Sequence, residues 1–262
     1  MPMIEAYNMK GNVVFGKGDR VEGRESLAFI HGGGADWTAW FQQRGYFSRE
    51  FNVFIFDLPG HGAAQGEAPQ DIGNYALWVK GALDELKVSN PFVIGHSMGT
   101  FIAMSLALRY PELPKGLVLV GASAKLDAPI LVSLREVMTK DFRRGVESFC
   151  DVVFSKAAPA EMKRLAAEQM MKTPAHVMLH DMAAALRFDV RGEVRGIRSP
   201  TLLVCGDEDA ASPVEDSRYL AGQIAGSRLT IVRGAGHLPM VERADEFNKM
   251  VEEFVRSAGG PR

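Results

Sequence analysis

Six short, mostly apolar runs, residues 26–30, 52–56, 92–94, 116–120, 201–205 and 228–232, recur along the chain with segments of helical spacing between most of them. The run at 52–56 is continuously apolar, as expected of a parallel strand covered on both faces, and those at 116–120 and 201–205 likewise read as buried strands. Alternation with helices then predicts a mostly parallel, doubly wound α/β sheet. Residues 4–9 and 12–16 alternate loosely around Gly11 and predict a hairpin of edge strands, which brings the sheet to about eight strands.

The intervening segments fit that scheme. Residues 72–86 place Ile72, Tyr75, Ala76, Val79, Leu83 and Leu86 on one helical face. Residues 98–110 are apolar nearly all round, which predicts a helix buried against the sheet. Asp36 is placed to cap a helix carrying Trp37, Trp40 and Phe41.

The rhythm breaks between 122 and 190, where helical patterns interrupted near Pro129, Gly145, Pro159 and Pro174 replace any strand-like run. The stretch is too long for a connecting loop. The chain is therefore expected to divide into a core, residues 1–121 and 191–262, and a helical insertion, residues 122–190.

Composition narrows the class of function. With 30 Lys and Arg against 32 Asp and Glu, and no basic run, nothing favours nucleic acid. No uninterrupted apolar segment approaches the roughly 18 residues of a membrane span. The amino terminus lacks a basic region followed by an apolar core, so no signal peptide is expected. Cys150 and Cys205 form neither a C-x-x-C pair nor a disulfide framework, and read as two buried thiols. A soluble, cytoplasmic protein is the expectation.

The run at 92–94 ends in Gly95-His96-Ser97-Met98-Gly99 and passes directly into the apolar helix. In this G-x-S-x-G pattern a strand reverses into a helix within a few residues, leaving the serine hydroxyl exposed on a fixed backbone. The pattern alone is common by chance, and its place between strand and helix gives it weight. A serine hydroxyl needs a base to become a nucleophile at neutral pH. His96 should point away from the hydroxyl, and His31 and His61 lie in glycine-rich turns. His176 and His180 are spaced i,i+4, but Val177 stands where a zinc-protease helix needs Glu, so no metal site is read there. His237, in a breaker-rich loop after the run at 228–232, is free to reach across a cleft. A carboxylate to orient it is available in the acidic loop Gly206-Asp207-Glu208-Asp209, which follows the run at 201–205.

Together with His31-Gly32-Gly33-Gly34, Asp57-Leu58-Pro59-Gly60-His61-Gly62 and Gly236-His237, these motifs resemble the α/β-hydrolase family, in family order and across essentially the whole chain. The resemblance implies a Ser97–Asp209–His237 triad, with Asp207 as fallback acid and Asp127 as a remote third choice. It implies an oxyanion hole of the Gly33 and Met98 N–H groups, with Gly34 as alternate, and makes the insertion a cap over the active site. The implied activity is that of a serine carboxylesterase acting through an acyl-enzyme on a small to medium apolar ester, without metal or organic cofactor. Carbon–carbon bond hydrolysis, lactonase or thioesterase activity within the fold, and a slow-turnover small-molecule receptor, are the alternatives. Six of the thirteen methionines (Met138, Met162, Met170, Met171, Met178 and Met182) fall in the insertion, as ordinary helix packing or as a flexible apolar pocket.

Overall fold

The computed structural model describes residues 2–16, 20–64 and 66–259. The chain opens with β1 (Met3–Ala6), β2 (Met9–Phe15) and β3 (Ser26–Ile30), then α1 (Phe41–Phe47) and β4 (Asn52–Asp57). Next come α2 (Ile72–Glu85), β5 (Phe92–His96), α3 (Met98–Arg109) and β6 (Gly116–Val120). Four helices follow without a strand: α4 (Pro129–Lys140), α5 (Phe142–Val153), α6 (Ala160–Met170) and α7 (Ala175–Arg187). The chain then returns to the sheet with β7 (Thr201–Gly206), α8 (Val214–Gln223), β8 (Arg228–Val232), α9 (Pro239–Glu242) and α10 (Ala244–Gly259).

The strands form one sheet in the order β1-β2-β4-β3-β5-β6-β7-β8. β1 and β2 are antiparallel to their neighbours, and β3 through β8 are parallel throughout. Side chains alternate between the two faces as the pleat requires. Ala28, Ile30, Val93, Leu117 and Leu119 pack under α2, α3 and α8. Leu27, Phe29, Ile94, Val118 and Val120 pack under α1 and α10. Phe29 is fully buried against Trp40 and Phe47, with centroids 5.1 and 5.9 Å away. Burying one such side chain contributes about 1.5–3 kcal/mol.

Two local expectations are corrected. The hairpin turns at Tyr7 and Asn8, whose φ of 52° and 61° suit a two-residue hairpin turn, and not at Gly11, which pairs with Ile4 inside β2. Gly11 serves close approach instead: a Cβ there would lie 2.0 Å from the Trp78 ring. Gly145 likewise does not break a helix. It sits inside α5, and a Cβ on it would lie 2.3 Å from Met138 Cγ, so α4 and α5 cross there almost in backbone contact. The break falls at Asp141, whose side chain caps α5 through the Arg144 N–H. Pro129, Pro159 and Pro174 do stand at helix starts, where a missing N–H costs nothing.

The four consecutive helices bury their own apolar cluster, which includes Leu131, Leu134, Met138, Val146 and Met178. Asp36 caps a short 3-10 turn, Trp37–Trp40, that leads into α1. No helix among the described residues is long and apolar enough to cross a membrane.

Candidate active site

Parallel strands place all their carboxyl ends on one edge, and ligand sites of such sheets lie there. Gly33 follows β3, Ser97 follows β5, Asp209 follows β7 and His237 follows β8, so four distant stretches meet at that edge.

Ser97 has φ 52° and ψ −120°, a conformation rarely adopted by residues with a side chain. Strain of this kind costs on the order of 1–3 kcal/mol. The elbow is held from both sides: Ser97 N–H donates to Val120 O at 2.9 Å, and Thr100 Oγ1 to Ser97 O at 2.6 Å. The flanking glycines are steric necessities, since a Cβ on Gly95 would lie 2.2 Å from Gly99 O and one on Gly99 2.4 Å from Ile30 O.

His237 Nδ1 lies 2.7 Å from Asp209 Oδ2. The other carboxylate oxygen accepts the N–H groups of Ala211 and Ser212 at 2.9 and 2.8 Å. A carboxylate so surrounded by donors makes Nδ1 the protonated nitrogen and leaves Nε2 as an acceptor. The histidine backbone is pinned by helices on the opposite wall: His237 N–H donates to Val153 O at 2.7 Å. Glu242 accepts from both Ser155 N–H (2.9 Å) and Gly236 N–H (2.8 Å).

His96 lies outside this pair. Its Nε2–H donates to the His237 carbonyl at 3.0 Å, and burial followed by the nearby His237 holds its pKa well below the usual value. Asp207 is exposed and accepts from Gly234 N–H at 2.7 Å, and Asp127 is exposed, so neither is the carboxylate on His237. His176 and His180 are exposed with ring centroids 6.2 Å apart, and no metal-ligand cluster exists among the described residues. Trp40 is buried in the core and Trp37 stacks beneath Arg44; neither borders the cavity described next.

Ser97 and His237 both line a cavity of about 640 Å³ between the sheet edge and helices α5 and α6. Phe149, Val153, Phe154, Met162, Leu165 and Met170 make its walls apolar, and Gly32 and Gly33 border it. Its only charged lining residues among those described are Asp36 and Glu161; no Lys or Arg reaches it. A recess of about 50 Å³ adjoins it, where Gly33, Ser97 and Met98 face Met178, Asp181 and Met182.

A second buried constellation went unread in the sequence. Asp181 of α7 accepts from Gly34 N–H (Oδ2, 2.8 Å), from Tyr75 O–H (Oδ1, 2.6 Å) and from His61 Nε2 (Oδ2, 2.7 Å). His61 Nδ1 lies 3.1 Å from Pro59 O. Both ring nitrogens thus face acceptors, as in an imidazolium. Burial is the largest influence and opposes that charge, but Asp181, together with the Pro59 carbonyl and the charge of Asp57, outweighs it and raises the His61 pKa. Burial also penalises the Asp181 charge, yet His61, Tyr75 and Gly34 together hold its pKa below the usual carboxylate range. The available signal was an acid set at the buried spacing of α7, among Val177, Met178, Ala184 and Ala185. Gly34 N–H, the alternate oxyanion donor by resemblance, is taken by this carboxylate. No group among the described residues accepts from Gly33 N–H.

A family model described as the alpha/beta hydrolase family matches residues 27–250, and the chain belongs to that family of enzymes. It is 27% identical over 250 residues to a pimeloyl-acyl-carrier-protein methyl ester esterase of Neisseria meningitidis serogroup B, covering 91% of this chain and 95% of the other. It is 25% identical over 251 residues to 3-oxoadipate enol-lactonase 2 of Acinetobacter baylyi, covering 92% and 91%. Among solved structures, a thermophilic esterase superposes with a TM-score of 0.86 at 27% identity, covering 98% of each chain.

Proposed function

We propose that the protein is a serine hydrolase of uncharged, apolar carboxylic esters. One observation carries this reading: a strained Ser97 and the Asp209-bound His237 border the same apolar cavity. Ser97 Oγ attacks the ester carbonyl while His237 Nε2 accepts its proton, and the tetrahedral oxyanion takes the N–H groups of Gly33 and Met98. Met98 is the first residue of α3, where helical N–H groups lack intrahelical acceptors. Collapse of the intermediate expels the alcohol, protonated by His237. Water, activated by the same imidazole, then releases the acid and restores Ser97.

The described residues lining the cavity supply no cation to pair with a substrate carboxylate or phosphate, while Asp36 and Glu161 would repel one. Residues 122–190 serve as the cap and residues 1–121 and 191–262 as the catalytic core. A lactone is an internal ester open to the same steps, and the enol-lactonase relative supports it as a second substrate form. The two buried, unpaired thiols fit a reducing, cytoplasmic setting.

The test is hydrolysis of a p-nitrophenyl ester series, neutral acyl chains against chains ending in carboxylate, together with fluorophosphonate labelling and peptide mapping. Neutral esters should be turned over at least 10-fold better by kcat/KM, with the label on Ser97. Turnover retained in Ser97→Ala would end the mechanism, and equal use of carboxylate-terminated esters would end the charge argument.

A further inference from the structure

Asp181 does more than bury a polar group. Its carboxylate joins helix α7, far along the chain, to the turn after β3: Oδ2 takes Gly34 N–H at 2.8 Å, and a Cβ on Gly33 would lie 3.1 Å from Asp181 Cβ. The peptide between Gly33 and Gly34 is thereby held from the side opposite the sheet. Asp181 also borders the recess that Gly33, Ser97 and Met98 share. A turn of three successive glycines has little conformational preference of its own, so its orientation must come from such outside contacts.

A carboxylate next to an oxyanion site would ordinarily raise the energy of the charge that develops there. His61 removes that objection. It lies 2.7 Å from the same oxygen, is fully buried, and presents its other nitrogen to Pro59 O. Tyr75 O–H occupies the remaining carboxylate oxygen at 2.6 Å. The pair is neutral as a unit, and its donors and acceptors are satisfied.

We propose that Asp181 is a positioning residue, supplied by the inserted helices, that fixes the Gly33–Gly34 turn with the Gly33 N–H free for the oxyanion, while His61 neutralises the carboxylate. The proposal rests on the ester-hydrolase reading above and adds a coupling to it: the donor that stabilises the transition state is set only when α7 is docked. Preorganised donors act on the transition state more than on the bound ester, so loss of this contact lowers kcat and leaves KM nearly unchanged.

The experiment compares Asp181→Ala, Asp181→Asn, His61→Gln and the double variant His61→Gln/Asp181→Asn on a neutral p-nitrophenyl ester. Each kcat is normalised to the sites counted by burst titration of Ser97, so misfolded protein does not enter. Asp181→Ala and His61→Gln should lose about 10- to 100-fold in kcat, with KM within about 3-fold. Asn at 181 keeps an acceptor for Gly34 N–H without the charge, so the double variant should recover to within about 5-fold of wild type. A normalised kcat for Asp181→Ala within 2-fold of wild type overturns the proposal, as does a loss carried by KM alone. If Asp181→Ala does not fold, the double variant decides: a kcat as low as that of His61→Gln overturns the proposal. Failure of the hydrolase reading would show differently, as absence of a burst and of Ser97 labelling in the wild type.

Discussion

Asp209 and His237 share a 2.7 Å hydrogen bond although 28 residues of chain separate them, because β7 and β8 are adjacent and parallel. The pairing register brings Gly206 opposite Val232, so the two loops leave the sheet side by side. With Asp209 replaced by Asn, His237 loses the partner that sets its tautomer, and kcat should fall by about 10⁴-fold. Asp207→Ala should stay within about 3-fold of wild type, since its exposed carboxylate accepts from Gly234 N–H and not from His237. Steady-state kinetics of the two variants on one ester decide between the acids. A larger loss in the Asp207 variant would reverse the assignment.

Strain at Ser97 carries its own consequence. Glycine adopts φ 52°, ψ −120° without a Cβ penalty, so Ser97→Gly should be inactive yet more stable by about 1 kcal/mol. Urea denaturation monitored by fluorescence measures this directly. A lower midpoint in the variant would remove strain from the description of the elbow.

Acid stability follows from the buried histidines. Burial, then the neighbouring His61, lowers the His31 pKa from its ordinary 6.5 to about 4. His96 is held well below its usual value. Both stay neutral in the fold while the unfolded chain takes up protons near 6.5. Their contribution is therefore present above that pH and is lost as pH falls toward 4. For His31 the full shift corresponds to roughly 3 kcal/mol. His61 has the opposite sign, since its raised pKa contributes below 6.5 and fades as pH rises through the folded value. Asp181 enters only below the ordinary carboxylate range. Asp216 shares the sign of His61, since burial and then the charge of Asp209 raise its pKa to about 6, so it takes up its proton in the folded protein first. The His31 contribution is read by difference: from pH 7 to pH 5 the wild type should lose more, or gain less, unfolding free energy than His31→Gln. Equal slopes in the two proteins would count against His31 as a source.

The thiols should be inert in the folded protein. Burial, followed by the charge of Asp151, pushes Cys150 up to about 12; burial, followed by Asp209, does the same for Cys205. Iodoacetamide at pH 8 should leave activity unchanged, and both cysteines should alkylate only after unfolding. Mass spectrometry of the native protein is the check, with rapid modification as the contrary result.

How much of this was legible beforehand depended on whether a feature is local. The six apolar runs, the G-x-S-x-G turn, the acidic loop and His237 are each a few consecutive residues with a chemical signature. A parallel sheet then collects their carboxyl ends by topology alone. Gly11 and Gly145 misled because a glycine that marks a turn and one that admits a neighbouring ring or helix look the same in one dimension. Packing distinguishes them, through Trp78 in one case and Met138 in the other.

The chain's own pattern therefore determined the fold class, the elbow and the order of the residues that gather at the sheet edge. Tertiary structure decided the rest. Asp209 rather than Asp207 faces His237 because the fold buries the Asp209 carboxylate against the imidazole and leaves that of Asp207 exposed beside Gly234. The apolar cavity exists because α5 and α6 stand off the sheet edge. Asp181 meets His61, Tyr75 and Gly34 across more than a hundred residues of chain. A buried ion pair of that span has no spacing rule, since the geometry that joins its partners arises only when the helices dock.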